Sequence, residues 1–315
     1  MNFKSEKSMI NGIETIKLSL EGKETFIEVD PLHGANLLRY CFEGTNIIDC
    51  NEEIAAKGGF TGCPILYPTP NRVKDCKTIY NGKEYTQLRD GTPHMLHGYA
   101  FFREFTVEEI KIEDTFASVT LSFRMDEDPE AFKSYPFENK LSVTYTLYEN
   151  SLKFTYKASN LSDSVMPYGF AIHPYFYFKE DAFFTIPSDE FVETTSAVIP
   201  TRNILKTEEH FEGINKGWFA SNCVLDNNYI KRDGENATLT LTEEKLKVTF
   251  AVPDDFKHFV VYHQKGGKFI CIENQTCSID ANNMHLEGLS EVANQKFINP
   301  GESDSASIEL IVERV

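Results

Sequence analysis

Along most of its length the chain alternates apolar and polar side chains with a period of two. Residues 13–20 and 24–29 alternate in this way around the turn Glu21-Gly22-Lys23, which predicts a pair of antiparallel strands. A further strand is predicted over 34–42, with a turn at Glu43-Gly44-Thr45-Asn46. Residues 51–59 are the best candidate for a short helix in the first half. Between 61 and 71 the chain carries Gly62, Pro64, Pro68 and Pro70, which forbids regular helix and predicts an ordered loop. Residues 78–85 read as a hairpin around Asn81-Gly82, a dipeptide suited to tight turns. The alternation is clearest over 117–123, 141–147 and 152–156, interrupted by a polar and exposed excursion at 126–134. Strand-like runs return at 183–186, 237–241, 246–252, 259–262, 269–272 and 307–312. Short strands at this spacing predict an all-β fold, a large antiparallel β-sandwich with few short helices. With no linker or internal repeat, 1–315 reads as a single domain.

Composition sharpens this picture in three ways. Aromatic residues make up 13% of the chain, which suits pleated sheet. The formal net charge is -17, which argues against nucleic acid and anionic membrane as partners, since both call for clustered Lys and Arg. The seven cysteines stand at 41, 50, 63, 76, 223, 271 and 277 with no C-x-x-C pair. That pattern favours reduced thiols and a cytoplasmic location over a disulfide framework or structural zinc. The first residues, Met1 to Lys7, lead into no apolar core of a signal peptide, and no apolar run reaches membrane-spanning length. Monomer and homodimer both stay open.

Four stretches break the pattern of ordinary strands. The first runs from Pro167 to Phe178, almost wholly apolar and aromatic, with His173 in its middle. Pro174 restricts His173 to extended backbone, so the imidazole is held stiffly among large rings. It is either a satisfied core histidine or a proton donor in a partly dry cleft. The second is Pro70-Asn71-Arg72, an arginine in a proline-braced loop, able to offer oriented donors to hydroxyls or a carboxylate. The third is His94-Met95-Leu96-His97-Gly98. Two histidines three apart lack the further ligands that zinc needs, and Gly98 permits close approach of backbone or ligand. The fourth is 269–276, where alternation puts Cys271 and Glu273 on one face and Ile270 and Ile272 on the other. A carboxylate at the end of an apolar strand is costly to bury without a partner or a task, and partial desolvation makes it a stronger base. His258 and His263 fall on opposite faces of their strand, which argues against a joint site. Asn282, Asn283, His285 and Glu287 read as a solvated loop.

Taken in chain order, the stretches resemble the aldose 1-epimerase (galactose mutarotase) family. The matching elements are Asn71-Arg72-Val73, Leu96-His97-Gly98, Tyr135-Pro136-Phe137, Asn160, Met166-Pro167-Tyr168, His173-Pro174-Tyr175-Phe176 and Ile272-Glu273-Asn274-Gln275-Thr276. The resemblance implies a mutarotase-like β-sandwich with a shallow sugar cleft on one sheet. It implies His173 as general acid, Glu273 as general base, and Arg72 and His97 as holders of the sugar, with Asn71 beside them and Tyr175 as an apolar platform. It implies an isomerase that interconverts the α and β anomers of a hexose or related aldose, needing no metal and no organic cofactor. The family's sugar-binding aspartate has no counterpart in clear register. Ser221 or Asn222 is better placed, with Asp226 a few positions late, and a broad preference, or one other than galactose, follows. Phe105 stands where the family carries a tryptophan. The carboxylate and imidazole are expected to face each other across a gap wide enough for a sugar ring, without direct contact. Other readings are a mutarotase for a phosphorylated sugar, with Lys74, Lys77 or Lys265 as the second cation, a non-catalytic sugar-binding protein of the same fold, and a glycosidase, for which only one well-placed carboxylate is present.

Overall fold

In the computed structural model, which describes residues 2–86 and 94–315, two large antiparallel sheets face each other. The larger runs in the order Phe3–Ile10, Ile13–Leu20, Thr25–Asp30, Asn36–Phe42, Thr45–Ile48, Tyr175–Tyr177, Phe269–Gln275, His258–His263, Leu225–Ile230, Glu190–Thr194, Pro200–Lys206. Ala171–Ile172 also pairs with Phe269–Gln275, and on its other side with Ile65–Leu66. The second sheet is built mainly from Ala117–Arg124, Asn139–Leu147, Ser151–Asn160, Ser303–Arg314 and Leu246–Ala251, with Thr106–Ile112 at one edge. The helices are short pieces between strands.

Alternation decides which side chains fill the space between the sheets. Phe176, Ile270, Ile272, Phe259 and Val261 point inward from the larger sheet and join a core with Phe154, Phe250, Ile308 and Leu310 of the other. Phe176 meets Phe250 edge-on at 5.4 Å. Burying each such ring contributes about 1.5–3 kcal/mol. The Tyr145 hydroxyl crosses the core to donate to the Ala35 carbonyl at 2.5 Å, so the polar end of a buried tyrosine is satisfied. The residues between the inward ones, Tyr175, Cys271 and Glu273, belong to the opposite face of the sheet, and the candidate chemistry gathers there.

The all-β architecture matches the expectation from alternation, and several local readings are corrected. The turn at 43–46 tightens to Glu43 and Gly44, both at positive φ, and Thr45 and Asn46 join a strand. The helix expected over 51–59 is one turn, Glu52–Ala55, capped by the Asn51 side chain. The supposed loop at 282–287 overlaps the helix Ala281–Leu286. There Asn282 donates to Thr78 and Ile79, and Asn283 donates to the Lys77 carbonyl. The excursion at 126–134 contains the helix Pro129–Ser134, capped by Asp128, with Ala131 and Ser134 buried. Strands at Phe3–Ile10, Glu190–Thr194, Pro200–Lys206 and Leu225–Ile230 lie outside the expected runs. The last is Leu-Asp-Asn-Asn-Tyr-Ile, whose three central polar residues are depleted in strands and read as a turn.

Candidate active site

Register brings His173 and Glu273 together. Ala171 pairs with Gln275, Ile172 with Asn274, and Tyr175 with Cys271. The same register sets residue 173 opposite residue 273, and cross-strand neighbours have their side chains in contact. His173 Nε2 lies 3.1 Å from Glu273 Oε1. This corrects the expectation of a gap wide enough for a sugar ring. The two groups stand side by side on adjacent strands, so a substrate must lie over the pair rather than between its members.

Both groups are nearly closed off from solvent, His173 at 6% and Glu273 at 2% exposure. His173 is fixed at its backbone by donation to the Pro64 carbonyl at 3.0 Å and at its ring by stacking on Tyr175 at 5.0 Å. The other carboxylate oxygen of Glu273 accepts from Gln275 Nε2 at 2.8 Å. Burial disfavours the charged form of each group. It pushes His173 down to about 4 and Glu273 up to about 8, where the Gln275 hydrogen bond opposes the rise and Asp226 adds to it. Both shifts disfavour the charged pair and favour the arrangement with the proton on the carboxyl and a neutral imidazole.

The remaining walls come from two loop segments and a neighbouring strand. Arg72–Val73 pairs with Met95–Leu96, and the Asn71 carbonyl accepts the His97 N–H at 2.7 Å. Asn71 and His97 both adopt positive φ, 60° and 66°, which turns each side chain out of the short ladder. Gly98 follows at φ 70°, and a Cβ there would lie 2.3 Å from the Tyr67 carbonyl oxygen. The close approach foreseen at Gly98 is thus to backbone. The His97 ring sits 5.4 Å from that of His173 and 5.1 Å from Phe60. His94, by contrast, accepts from the Asp75 N–H at 2.9 Å, away from His97's partners. Arg72 Nη1 donates to Asn71 Oδ1 at 3.1 Å, and its Nη2 faces Asp226 Oδ2 at 3.7 Å.

All six residues singled out from sequence, Asn71, Arg72, His97, His173, Tyr175 and Glu273, line one cleft of about 370 Å³. Phe60, Leu96, Asp226 and Tyr262 complete it. Of Ser221, Asn222 and Asp226, only Asp226 lines the cleft. It stands opposite Tyr262, which stands opposite Cys271, which stands opposite Tyr175. Burial raises its carboxyl above the usual range and Arg72 opposes the rise. Ser221 instead donates to Asp181 at 2.6 Å, and neither it nor Asn222 lines the cleft. The missed signal was the strand itself, because three polar residues hid it. Phe60 and Tyr262 carried no signal beyond being aromatic. Phe105 is buried against Phe123 at 4.7 Å, a core role. His258 and His263 are both buried, bonded to Asn228 and Val292 in one case and to the Phe269 carbonyl in the other. Among the described residues no cluster of three His, Cys, Asp or Glu side chains is spaced to hold a metal ion. Nor is any helix among them long and apolar enough to cross a membrane.

Comparison with known proteins places the chain in one family. The sequence model of the family described as aldose 1-epimerase matches residues 18–310. The plasmid-borne Protein LacX of Lactococcus lactis subsp. lactis is 31% identical over 143 residues, 44% of this chain and 44% of that protein. The chain thus matches less than half the length of this curated relative. A galactose mutarotase-like protein from Clostridium acetobutylicum has the same fold at a TM-score of 0.89, with 21% identity over 100% of this chain and 99% of the other. Galactose 1-epimerase from Lactobacillus acidophilus superposes at 0.77, with 18% identity over 99% and 98% of the two chains. At these identities the two structures speak to fold alone. The family match spans both sheets and every residue of the cleft, and the chain belongs to the aldose 1-epimerase family.

Proposed function

We propose that the protein is a mutarotase that interconverts the α and β anomers of a free hexose or related aldose at the His173–Glu273 pair. The observation that carries this reading is the 3.1 Å cross-strand contact between an imidazole and a carboxylate on the floor of a polar cleft. Anomerisation asks for proton transfer at two oxygens, O1 and the ring oxygen, bonded to the same carbon. An acid and a base side by side on neighbouring strands match that demand. In ring opening Glu273 takes the O1 proton and His173 gives one to the ring oxygen. The C1–C2 bond turns, and closure on the other face returns both protons. Before opening, the single proton of the pair must sit on His173; after it, on Glu273. Sugar hydroxyls replace part of the hydration lost by burial, and so favour the charged arrangement that opening requires.

Arg72, Asn71, His97 and Asp226 are the hydroxyl partners in this reading, and they keep the open-chain sugar in place between the two steps. Tyr175, stacked on His173, is the apolar wall. A phosphorylated substrate would call for a second cation beside Arg72. Lys74 and Lys77 line a different depression, with Arg202 and Glu287, and Lys265 lines neither. With Asp226 facing Arg72, the cleft suits an uncharged sugar. The presence of Asp226 also removes the ground for expecting a preference other than galactose.

Polarimetry on freshly dissolved α-D-glucose and α-D-galactose tests the reading. Glu273→Gln keeps the shape and removes the base, so kcat falls by a factor on the order of a thousand while sugar binding persists. His173→Asn has a similar effect. Anomerisation by either variant within a few-fold of wild type rules out the mechanism. Sugar binding without catalysis by the wild-type protein points instead to a non-catalytic member of the fold.

A further inference from the structure

We infer that Asp280, gripped by Arg202, is the positioning residue that sets the Arg72 segment in the cleft, an inference that rests on reading the cleft as a sugar site. Asp280 stands outside the cleft lining and is 2% exposed. Its backbone N–H donates to the Arg72 carbonyl at 2.9 Å, and its Oδ1 accepts the Lys74 N–H at 3.1 Å. One residue therefore holds the chain at Arg72 and again two residues later. The same Oδ1 accepts from Asn283 Nδ2 at 2.7 Å, and Oδ2 accepts from Arg202 Nη2 at 2.9 Å. The hydrogen bonds between Arg72–Val73 and Met95–Leu96, and that from His97 to Asn71, carry the grip across to His97. Asp280 follows Glu273 on the same run of chain. It thereby fixes the two sugar-binding segments relative to the strand that bears the proposed base.

Two features show that this arrangement is held against a cost. Arg202 adopts φ 79° inside the strand Pro200–Lys206, a region that is unfavourable for a non-glycine residue and persists where the surroundings impose it. That backbone directs the guanidinium to Asp280 and, through Nε and Nη2, to both carboxylate oxygens of Glu287. A buried carboxylate also adds little net stability over an apolar replacement, and is kept where it fixes a geometry. The Arg72 side chain needs such a support. Its hydrogen bond to Asn71 is to the adjacent residue, and the 3.7 Å to Asp226 is too long for a tight pair. Where the guanidinium can reach therefore depends on where its backbone is held.

The test combines kinetics with amide hydrogen exchange on the full chain. Arg202→Gln leaves Asp280 in place and loosens its grip. Asp280→Ala removes it, and Asp280→Asn keeps the Oδ1 acceptor for the Lys74 N–H. The expected result is a KM raised about tenfold in Asp280→Ala and less in Arg202→Gln, with kcat within about threefold and both limbs of the pH profile in place. Asp280→Asn recovers only part of the loss, because it still accepts from the Lys74 N–H but no longer accepts from Arg202. In an Arg72→Ala background, Arg202→Gln adds less than it costs in the wild type, because one of the two groups it acts through is gone and only His97 remains. Losses that multiply in the double variant, or a fall in kcat at constant KM, overturn the inference. Exchange at Val73, Lys74 and His97 rises in Arg202→Gln, and this readout needs no sugar. Unchanged exchange overturns the clamp whatever the wild-type activity, whereas raised exchange in a protein that neither binds nor anomerises sugar keeps the clamp and refutes the sugar site.

Discussion

Burial sets His173 and Glu273 against their ordinary titration, and two predictions belong to this residue scale. The first is the pH profile. Below about 4 His173 takes a second proton onto the pair, and above about 8 Glu273 loses the last one. The one-proton state exists only between these limits, so kcat/KM for the free enzyme is bell-shaped with limbs near them. Measured limbs confined to the ordinary carboxylate and imidazole ranges would contradict the burial argument. The second concerns stability. Glu273 has a folded pKa above its ordinary value of 4.5, so it favours the folded state fully below 4.5, and that contribution is lost as pH rises through about 8. Gln at 273 has no such loss, and it can still donate to His173 and accept from Gln275. The Glu273→Gln variant therefore melts above wild type, with a margin that widens between pH 4.5 and 8. Thermal melts across that range check it, and a constant or reversed margin refutes it.

At the scale of elements, the cleft depends on how short pieces of chain are turned rather than on long strands. The segment from Leu96 to Gly98 delivers His97 through two consecutive positive φ values, and Gly98 packs against the Tyr67 carbonyl where no Cβ fits. Gly98→Ala is expected to destabilise the protein by on the order of 1–3 kcal/mol. It should also raise KM more than it lowers kcat, since it displaces a binding group and leaves the acid–base pair in place. Unfolding titrations and steady-state kinetics on the one variant measure both effects. The strand Leu225–Ile230 works differently, by inserting a polar sequence into the middle of a sheet. Asn228 is satisfied there by Ser278 and His258, which leaves Asp226 to the cleft.

For the molecule as a whole, we propose that residues 1–315 form one domain. The main apolar core draws on residues from Phe3 to Val312 and joins both sheets, so loss of either sheet exposes the inner face of the other. Thermal and denaturant unfolding followed by tryptophan fluorescence and by far-ultraviolet circular dichroism should then coincide in one transition. The only tryptophan, Trp218, lies at the edge of the second sheet, so it reports on the sheet opposite the one that bears Tyr175, Asp226 and Glu273. Two separate transitions would divide the chain. The net charge of -17 adds self-repulsion to the folded state, and moderate salt should raise the midpoint by screening it.

The sequence by itself determined the all-β class, because alternation with period two is a local property of each strand. It also marked the chemistry-bearing stretches, because Asn71-Arg72, His97-Gly98 and His173-Pro174-Tyr175 depart from that alternation within a few residues and Glu273 sets a carboxylate at the end of an apolar strand. Tertiary structure alone decided how those stretches meet. The contact between His173 and Glu273 follows from the register of Ala171–Ile172 and Tyr175–Tyr177 against Phe269–Gln275, and register is set by pairing partners far away in the chain. The same holds for Asp226. The polar sequence around it argues locally for a turn, and only its place between Glu190–Thr194 and His258–His263 makes it a strand. Proton placement was beyond the sequence as well, since burial, which shifts both groups, exists only once the sheets have closed over them.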